Sequence, residues 1–589
     1  MRIVILLCCA ALAMPALTIA QNDTTHNVQN LLKLSLEDLM NIKVVTPSGY
    51  LQNTAEAPAT ITVITAQQIE DRGYEQLEDA LRDVPGIDMI HINGYAPTLI
   101  YFRGMYGAEN LRALLMIDGI PENNILGSND MAGPAYNLHN VERIEIVWGP
   151  VSSLYGAFAF GGVINLITKK GRDIQGMRLQ AGFGAYNTSF AKVAVGARKA
   201  GLEFQLSGNL FSTDGPVFTN RDPRYSSSYV DKAYSFNGAV SYEAKHYVTT
   251  LGFRTSSTPM GWGTYSNSPT AYLGLPAQGN KNLGIVGVMQ RNFNGERSGL
   301  DDPFYRTLFI QQEYKPSAKL EVMARLIYRE TGTGQNSYIY VTADGHRMIR
   351  SLVASYSNRV MGDLKANYAI STRQHLSAGL DFYQDNVERG ARKSTFDPNT
   401  VFLVDGVDTV VNLHSTFLPR TADIRNNFGG YAQYTLGTGW LGNTDFTAAM
   451  RFDKNSYFGE SFNPRLAIVN RPSDKLTVKL QYGTAFRPPT NLEIYQTPGG
   501  NFKLKPERIH TYEVNLQYVL SNRARLQVNG FRNELRDVIV LANLSGLTPD
   551  KNPGLINITG IESVLDLAFD AKLTGFLNFT WQDPEGKNL

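Results

Sequence analysis

From residue 176 onward, apolar and polar positions alternate with a period of two. Leu320, Val322, Ala324, Leu326 and Tyr328 alternate with Glu321, Arg325 and Arg329. Gly362, Leu364, Ala366, Tyr368 and Ile370 repeat the pattern, and after the turn STRQ so do Leu376, Ala378, Leu380 and Phe382. Leu476, Val478, Leu480 and Tyr482 follow in the same way, then Tyr512, Val514, Leu516, Tyr518 and Leu520. This period predicts strands with one apolar and one polar face. A soluble sandwich would turn the apolar face into a core, whereas a membrane barrel turns it toward lipid. The connections favour the barrel. Short turns fall near 198–201, 244–247, 315–318, 371–374, 438–443, 471–475, 521–523 and 570–572, and long connections such as 257–305 and 386–425 alternate with them. Short turns at one end and long loops at the other are the outer-membrane pattern, and closure satisfies every backbone group without helices.

Residues 51–172 read differently. The alternating run 59–64 (ATITVI) predicts a strand. Thr65 then stands as an N-cap with Gln68 three residues on, the spacing of a capping box. A second helix is predicted over 77–84 and stopped by Pro85-Gly86. Strands are expected at 87–90, 98–103, 111–118, 141–148 and 163–168, with Gly104, Gly107, Gly119 and Pro121 as turn residues. This is a small α/β unit in front of a large β unit, and 589 residues exceed one ordinary core.

The N-terminus carries export signals. Met1-Arg2 is a short positive region, residues 3–13 are apolar, and Thr18-Ile19-Ala20 ends in small residues. Cleavage after Ala20 is expected. Cys8 and Cys9 offer a lipoprotein alternative, but they lie inside the apolar run. They are the only two cysteines, so a cleaved chain holds no thiol nucleophile, disulfide or metal-thiolate site. Residues 21–30 are polar, and 31–40 (LLKLSLEDLM) can form a short amphipathic helix. Residues 41–47 (NIKVVTP) are extended and β-branched, a form that can add a strand to another protein's sheet edge.

Composition narrows the class. Lys+Arg 55 against Asp+Glu 53 leaves a net charge of +2, which gives no bulk-charge drive toward nucleic acid. Past the signal, no apolar run reaches the roughly 18–20 residues of a spanning helix. No HExxH, GxSxG, Walker loop or CxxC is present, so no enzyme, cofactor or metal site is expected.

Residues 140–170 (NVERIEIVWGPVSSLYGAFAFGGVINLITKK) closely resemble the end of the plug domain of TonB-dependent outer-membrane receptors. LRDVPGI, YFRGM and LLMIDGIP precede it in that family's order. GTAFRPPT at 483–490, then Glu493, Tyr495, LKPE at 504–507, Tyr512-Glu513 and Gly560-Ile561-Glu562 resemble its barrel. The resemblance implies a large antiparallel transmembrane β-barrel closed by an N-terminal α/β plug. The division is a signal peptide at 1–20, a periplasmic segment at 21–50, a plug at 51–172 and a barrel at 173–589. Ile42, Lys43, Val44, Val45 and Thr46 resemble the TonB box, which pairs with the periplasmic TonB protein. The SLEDLM-type leader before it resembles one subgroup. The short span between Ala20 and Ile42 leaves no room for a folded signalling domain. Arg103 and Arg143 are expected to tie the plug to barrel carboxylates. About seventeen strands are legible against the ~22 of a plugged transporter barrel, so the last strands are expected to be missing, through a fragment or a truncation.

The family imports scarce nutrients, and the implied setting is the outer membrane of a Gram-negative-type bacterium, with lipid around a monomeric barrel. The expected ligand is a ferric siderophore, with cobalamin or another chelate as the alternative and an ungated porin or adhesin barrel as the competing class. Haem receptors often carry a histidine near the FR-P…L-PE segment, and none lies between Phe486 and Glu507. Plug loops 91–97 and 104–110 offer Tyr95, Tyr106 and Asn110 as ligand contacts. The outer loops offer Arg221 and Tyr265, the cationic and aromatic groups that suit an anionic iron chelate.

Overall fold

The computed structural model describes residues 42–587 except 92–97, 107–111, 126–132, 216–229, 261–285, 289–298, 301, 335–337, 343–347, 354, 389–391, 395–410, 413–422, 440–441, 491–492, 495–503, 540–553 and 571–572. Seventeen antiparallel strands from Gly176–Gly184 to Thr574–Lys587 form one sheet, each paired with its neighbours in chain order. The first and last strands are its two edges. Lumen and lipid faces alternate as the period demands. In strand Gly459–Ser473, Phe462, Leu466 and Ile468 are exposed while Asn463, Arg465 and Val469 are buried. An exposed apolar face opposite a buried polar one is the inverse of a soluble sheet. A separate six-stranded sheet is built from the long connections, among them Tyr338–Thr342 and Met348–Val353.

The N-terminal unit sits inside this curved wall. It holds β1 (Lys43–Val44), β2 (Gln52–Asn53), β3 (Ile61–Thr65), β4 (Ile87–His91), β5 (Thr98–Phe102), β6 (Ala113–Ile117), β7 (Ile120–Pro121), β8 (Val141–Trp148) and β9 (Gly162–Thr168). Its sheet runs β3-β8-β9-β6-β7, with β6 and β9 parallel and the other pairs antiparallel. Helix α1 (Ala66–Asp71) starts at the Thr65/Gln68 capping box, and α2 (Leu77–Arg82) follows it.

Period two gives β8 two distinct faces. Ile144, Ile146 and Trp148 join Leu77, Leu81, Phe102 and Leu115 in one core, which reaches the barrel wall at Phe531, Leu535 and Ile558. On the other face, Val147 joins Val44, Ala57, Ile61, Met116 and Val163 in a second core. The first face is covered partly by the barrel wall, the second by other residues of the N-terminal unit itself. At Gly162, a Cβ would lie 2.7 Å from the Val147 carbonyl oxygen and 2.5 Å from the Phe102 ring, so this close approach requires glycine.

Candidate functional site at the plug and barrel wall

Residues 42–54 close on themselves. β1 pairs with β2, Lys43 opposite Asn53 and Val44 opposite Gln52, and Thr54 N donates to Ile42 O at 3.0 Å. The strand that could add to a partner's sheet is therefore paired within its own hairpin. Val44 and Thr46 are fully buried, whereas Lys43 is exposed. What holds the segment is Glu145, on the β8 face beside Val147. Its Oε2 accepts from Val45 N (3.1 Å), Thr46 N (2.9 Å) and Thr46 Oγ1 (2.6 Å). Asn165 Nδ2 donates to Thr46 Oγ1 at 3.0 Å, and the Tyr155 hydroxyl donates to Thr46 O at 2.8 Å. Burial pushes the Tyr155 pKa up, which keeps that hydroxyl a donor. No local sequence pattern marks this role for Glu145, because its partner lies 99 residues away.

Arg103 sits at the opposite contact. Its guanidinium bonds Glu513 and, at 2.8 and 3.0 Å, both oxygens of Glu562, two carboxylates on the barrel wall. Trp148 and Phe531 flank it at 5.0 and 4.3 Å from their ring centroids. Burial opposes its charge, but the two carboxylates outweigh burial and raise its pKa. Two further anchors use the same chemistry. Arg112 pairs with Glu507 at 2.7 Å, while Asp118 and Glu122 receive Arg254 at 3.0 and 3.1 Å. Arg103 and Asp118 both have φ of 50°, each followed by a glycine at positive φ (66° at Gly104 and 72° at Gly119). These tight turns point both charged side chains outward, at a conformational cost that is larger for arginine than for aspartate.

Arg143 corrects the expectation made for it. Its ion pairs go to Glu142 (3.1 Å) and Glu145 (2.9 Å), both on its own strand. Glu145 turns inward against the 42–54 hairpin, so Arg143 stays within the plug and neutralises that carboxylate. Of the ligand-contact candidates, Tyr106 is exposed, and its hydroxyl donates to Asp88 at 3.2 Å. Tyr95, Asn110, Arg221 and Tyr265 lie outside the described residues, as does the SLEDLM leader.

The hairpin-to-core segment is held by wall cations of another kind. Arg465 donates to Pro47 O and Pro58 O, and Lys479 donates to Thr54 O (2.7 Å) and Ala59 O (3.0 Å). These acceptors are neutral carbonyls.

Comparison with known proteins agrees with this geometry. Residues 205–588 match the family described as TonB dependent receptor-like, beta-barrel, and residues 53–163 match the TonB-dependent Receptor Plug Domain. The chain belongs to the TonB-dependent receptors. It is 22% identical over 550 residues to the Vitamin B12 transporter BtuB of Vibrio vulnificus, covering 92% of this chain and 78% of that one. It is 25% identical over 516 residues to the Iron-regulated outer membrane virulence protein of Vibrio cholerae, covering 84% and 69%. Among solved structures, it resembles the siderophore receptor PiuA from Acinetobacter baumannii with a TM-score of 0.67 at 17% identity, covering 93% of this chain and 82% of that one. The ferripyoverdine receptor of Pseudomonas aeruginosa gives 0.66 at 15% identity, covering 93% and 74%. The family is one of outer-membrane receptors and transporters, not of enzymes.

Proposed function

We propose that this receptor imports a ferric siderophore across the outer membrane, driven by TonB acting on Ile42, Lys43, Val44, Val45 and Thr46. The observation that carries the reading is the docked hairpin. A segment with the composition of a TonB box is paired with its own chain and pinned by Glu145, beneath a plug tied to the wall by buried ion pairs. In this reading, 1–20 is the signal peptide, 21–50 the periplasmic segment, 51–172 the plug and 173–589 the barrel. Ligand capture frees the box. TonB then adds a strand to it, and pulling withdraws residues 47–60 from the carbonyl-bonded cations Arg465 and Lys479.

The iron ligand is supported by the relative named for iron regulation and by the siderophore receptors among the structural neighbours. Cobalamin is the second reading, favoured by the relatives named as vitamin B12 transporters. The test of energy coupling is Val44→Pro, which removes a strand donor. Uptake of a bound ligand should vanish while binding persists. Uptake at the wild-type rate would mean an ungated pore.

A further inference from the structure

We propose that Arg425, backed by Tyr457, is an anion-binding subsite at the outer mouth of the barrel, taking an oxyanionic group (a carboxylate or deprotonated catechol) of the imported solute. This rests on the import reading above.

Register assembles the site. Arg254 lies opposite Thr307, Thr307 opposite Arg329, Arg329 opposite Arg359, Arg359 opposite Asp385, and Asp385 opposite Arg425. One hydrogen-bonded row thus carries four arginines on the lumen side. Three carboxylates face them. Asp118 and Glu122 of the plug take Arg254, and Glu122 also takes Arg329. Asp385 takes Arg359 through both oxygens, at 2.5 and 2.8 Å. Arg425 is left over. Its Nε and Nη2 are buried and have no hydrogen-bond partner among the described residues.

Those two nitrogens form one edge of the guanidinium fork, the edge that receives a carboxylate side-on through two parallel bonds. Leaving such donors buried without an acceptor is unfavourable, and with none among the described residues the edge is set to receive one that arrives. The guanidinium lies 4.4 Å from the Tyr457 ring centroid, which fixes its plane. Arg359 stacks in the same way on Tyr383, at 4.2 Å. Arg425 shares the lumen parity of Asn427 and Gln433, whereas Ile424 and Phe428 face outward. It lies two residues inside the outer end of strand Asp423–Thr438, and Tyr457 occupies the outer turn between Thr444–Asn455 and Gly459–Ser473.

The experiment uses the full chain in detergent and three probes: an anionic ferric tricatecholate, an uncharged ferric trihydroxamate and cyanocobalamin. Arg425→Gln should weaken tricatecholate binding about tenfold or more and flatten its salt dependence, leaving any binding of the other two probes within about twofold. Tyr457→Leu should give a smaller loss at unchanged charge. Should the glutamine variant fail to fold, Arg425→Lys keeps the charge, lacks the fork and should weaken the tricatecholate by an intermediate factor. Tricatecholate affinity indifferent to these substitutions overturns the subsite, as does a wild-type protein that binds only the uncharged probes or none of the three. Binding in detergent needs no TonB, so such a result leaves the Val44→Pro uptake test standing.

Discussion

At the scale of single residues, Arg103 and Glu145 do opposite jobs with the same charge chemistry. Arg103 pairs with two wall carboxylates in a buried site. Removing one partner of a buried ion pair strands the other, and the typical cost is about 3–5 kcal/mol. Arg103→Met should therefore loosen the plug by that order, seen as a lower denaturant midpoint and greater leakage of large antibiotics into cells. Adding Glu513→Gln and Glu562→Gln should recover part of the loss, because the stranded charges are gone. Glu145 instead holds the segment that must leave. A hydrogen bond to a charged group contributes about 1.5–3 kcal/mol, and Glu145→Gln keeps the shape while removing the charge. A spin label at Lys43→Cys should become mobile without ligand, and a TonB fragment should bind about tenfold tighter or better. An immobile label in this variant would assign retention of the box to Asn165 and Tyr155 alone. The chain announces Arg103 through the YFRGM motif. Its partners lie 410 and 459 residues away and become visible only when the barrel forms.

At the scale of elements, alternation determines what each strand can touch. In Gly459–Ser473, Leu466 faces lipid while Arg465 reaches Pro47 O and Pro58 O. Leu466→Arg should destabilise the barrel by about 2–4 kcal/mol if it lies near the bilayer midplane, measured by urea unfolding in lipid vesicles. A neutral result would place this stretch near an interface. Period and turn chemistry made most elements readable. The Thr65/Gln68 box starts α1, and Asp118-Gly119 turns β6 into β7. The 41–47 run predicts one extended segment, yet among its described residues only Lys43–Val44 is strand. Gly49 N and Ser48 N both turn back to Val45 O, so tertiary docking bends what propensity would extend.

At the scale of the whole molecule, two classes of polar contact hold the plug: ion pairs at Arg103, Arg112 and Asp118, and cation–carbonyl bonds along 47–59. If import draws the second class out, tethering that segment to the wall should stop it. Thr60 Oγ1 and Gln481 Nε2 are 3.0 Å apart. A short cleavable thiol cross-linker between Thr60→Cys and Gln481→Cys should abolish uptake, spare ligand binding and restore uptake on cleavage. Uptake that persists across the tether would place the path elsewhere. By itself, the sequence determined the lipid-facing and lumen-facing positions, the α/β unit ahead of the β unit, and the short and long ends of the strands. These follow from local periodicity and turn residues, which act over a few positions. Only the tertiary structure decided that Arg143 stays inside the plug, that Glu145 holds Thr46, and that four arginines spread over 172 residues share one row, with Asp385 in it and Asp118 and Glu122 of the plug against it. Those outcomes depend on strand register and on which faces meet, and no local pattern encodes either.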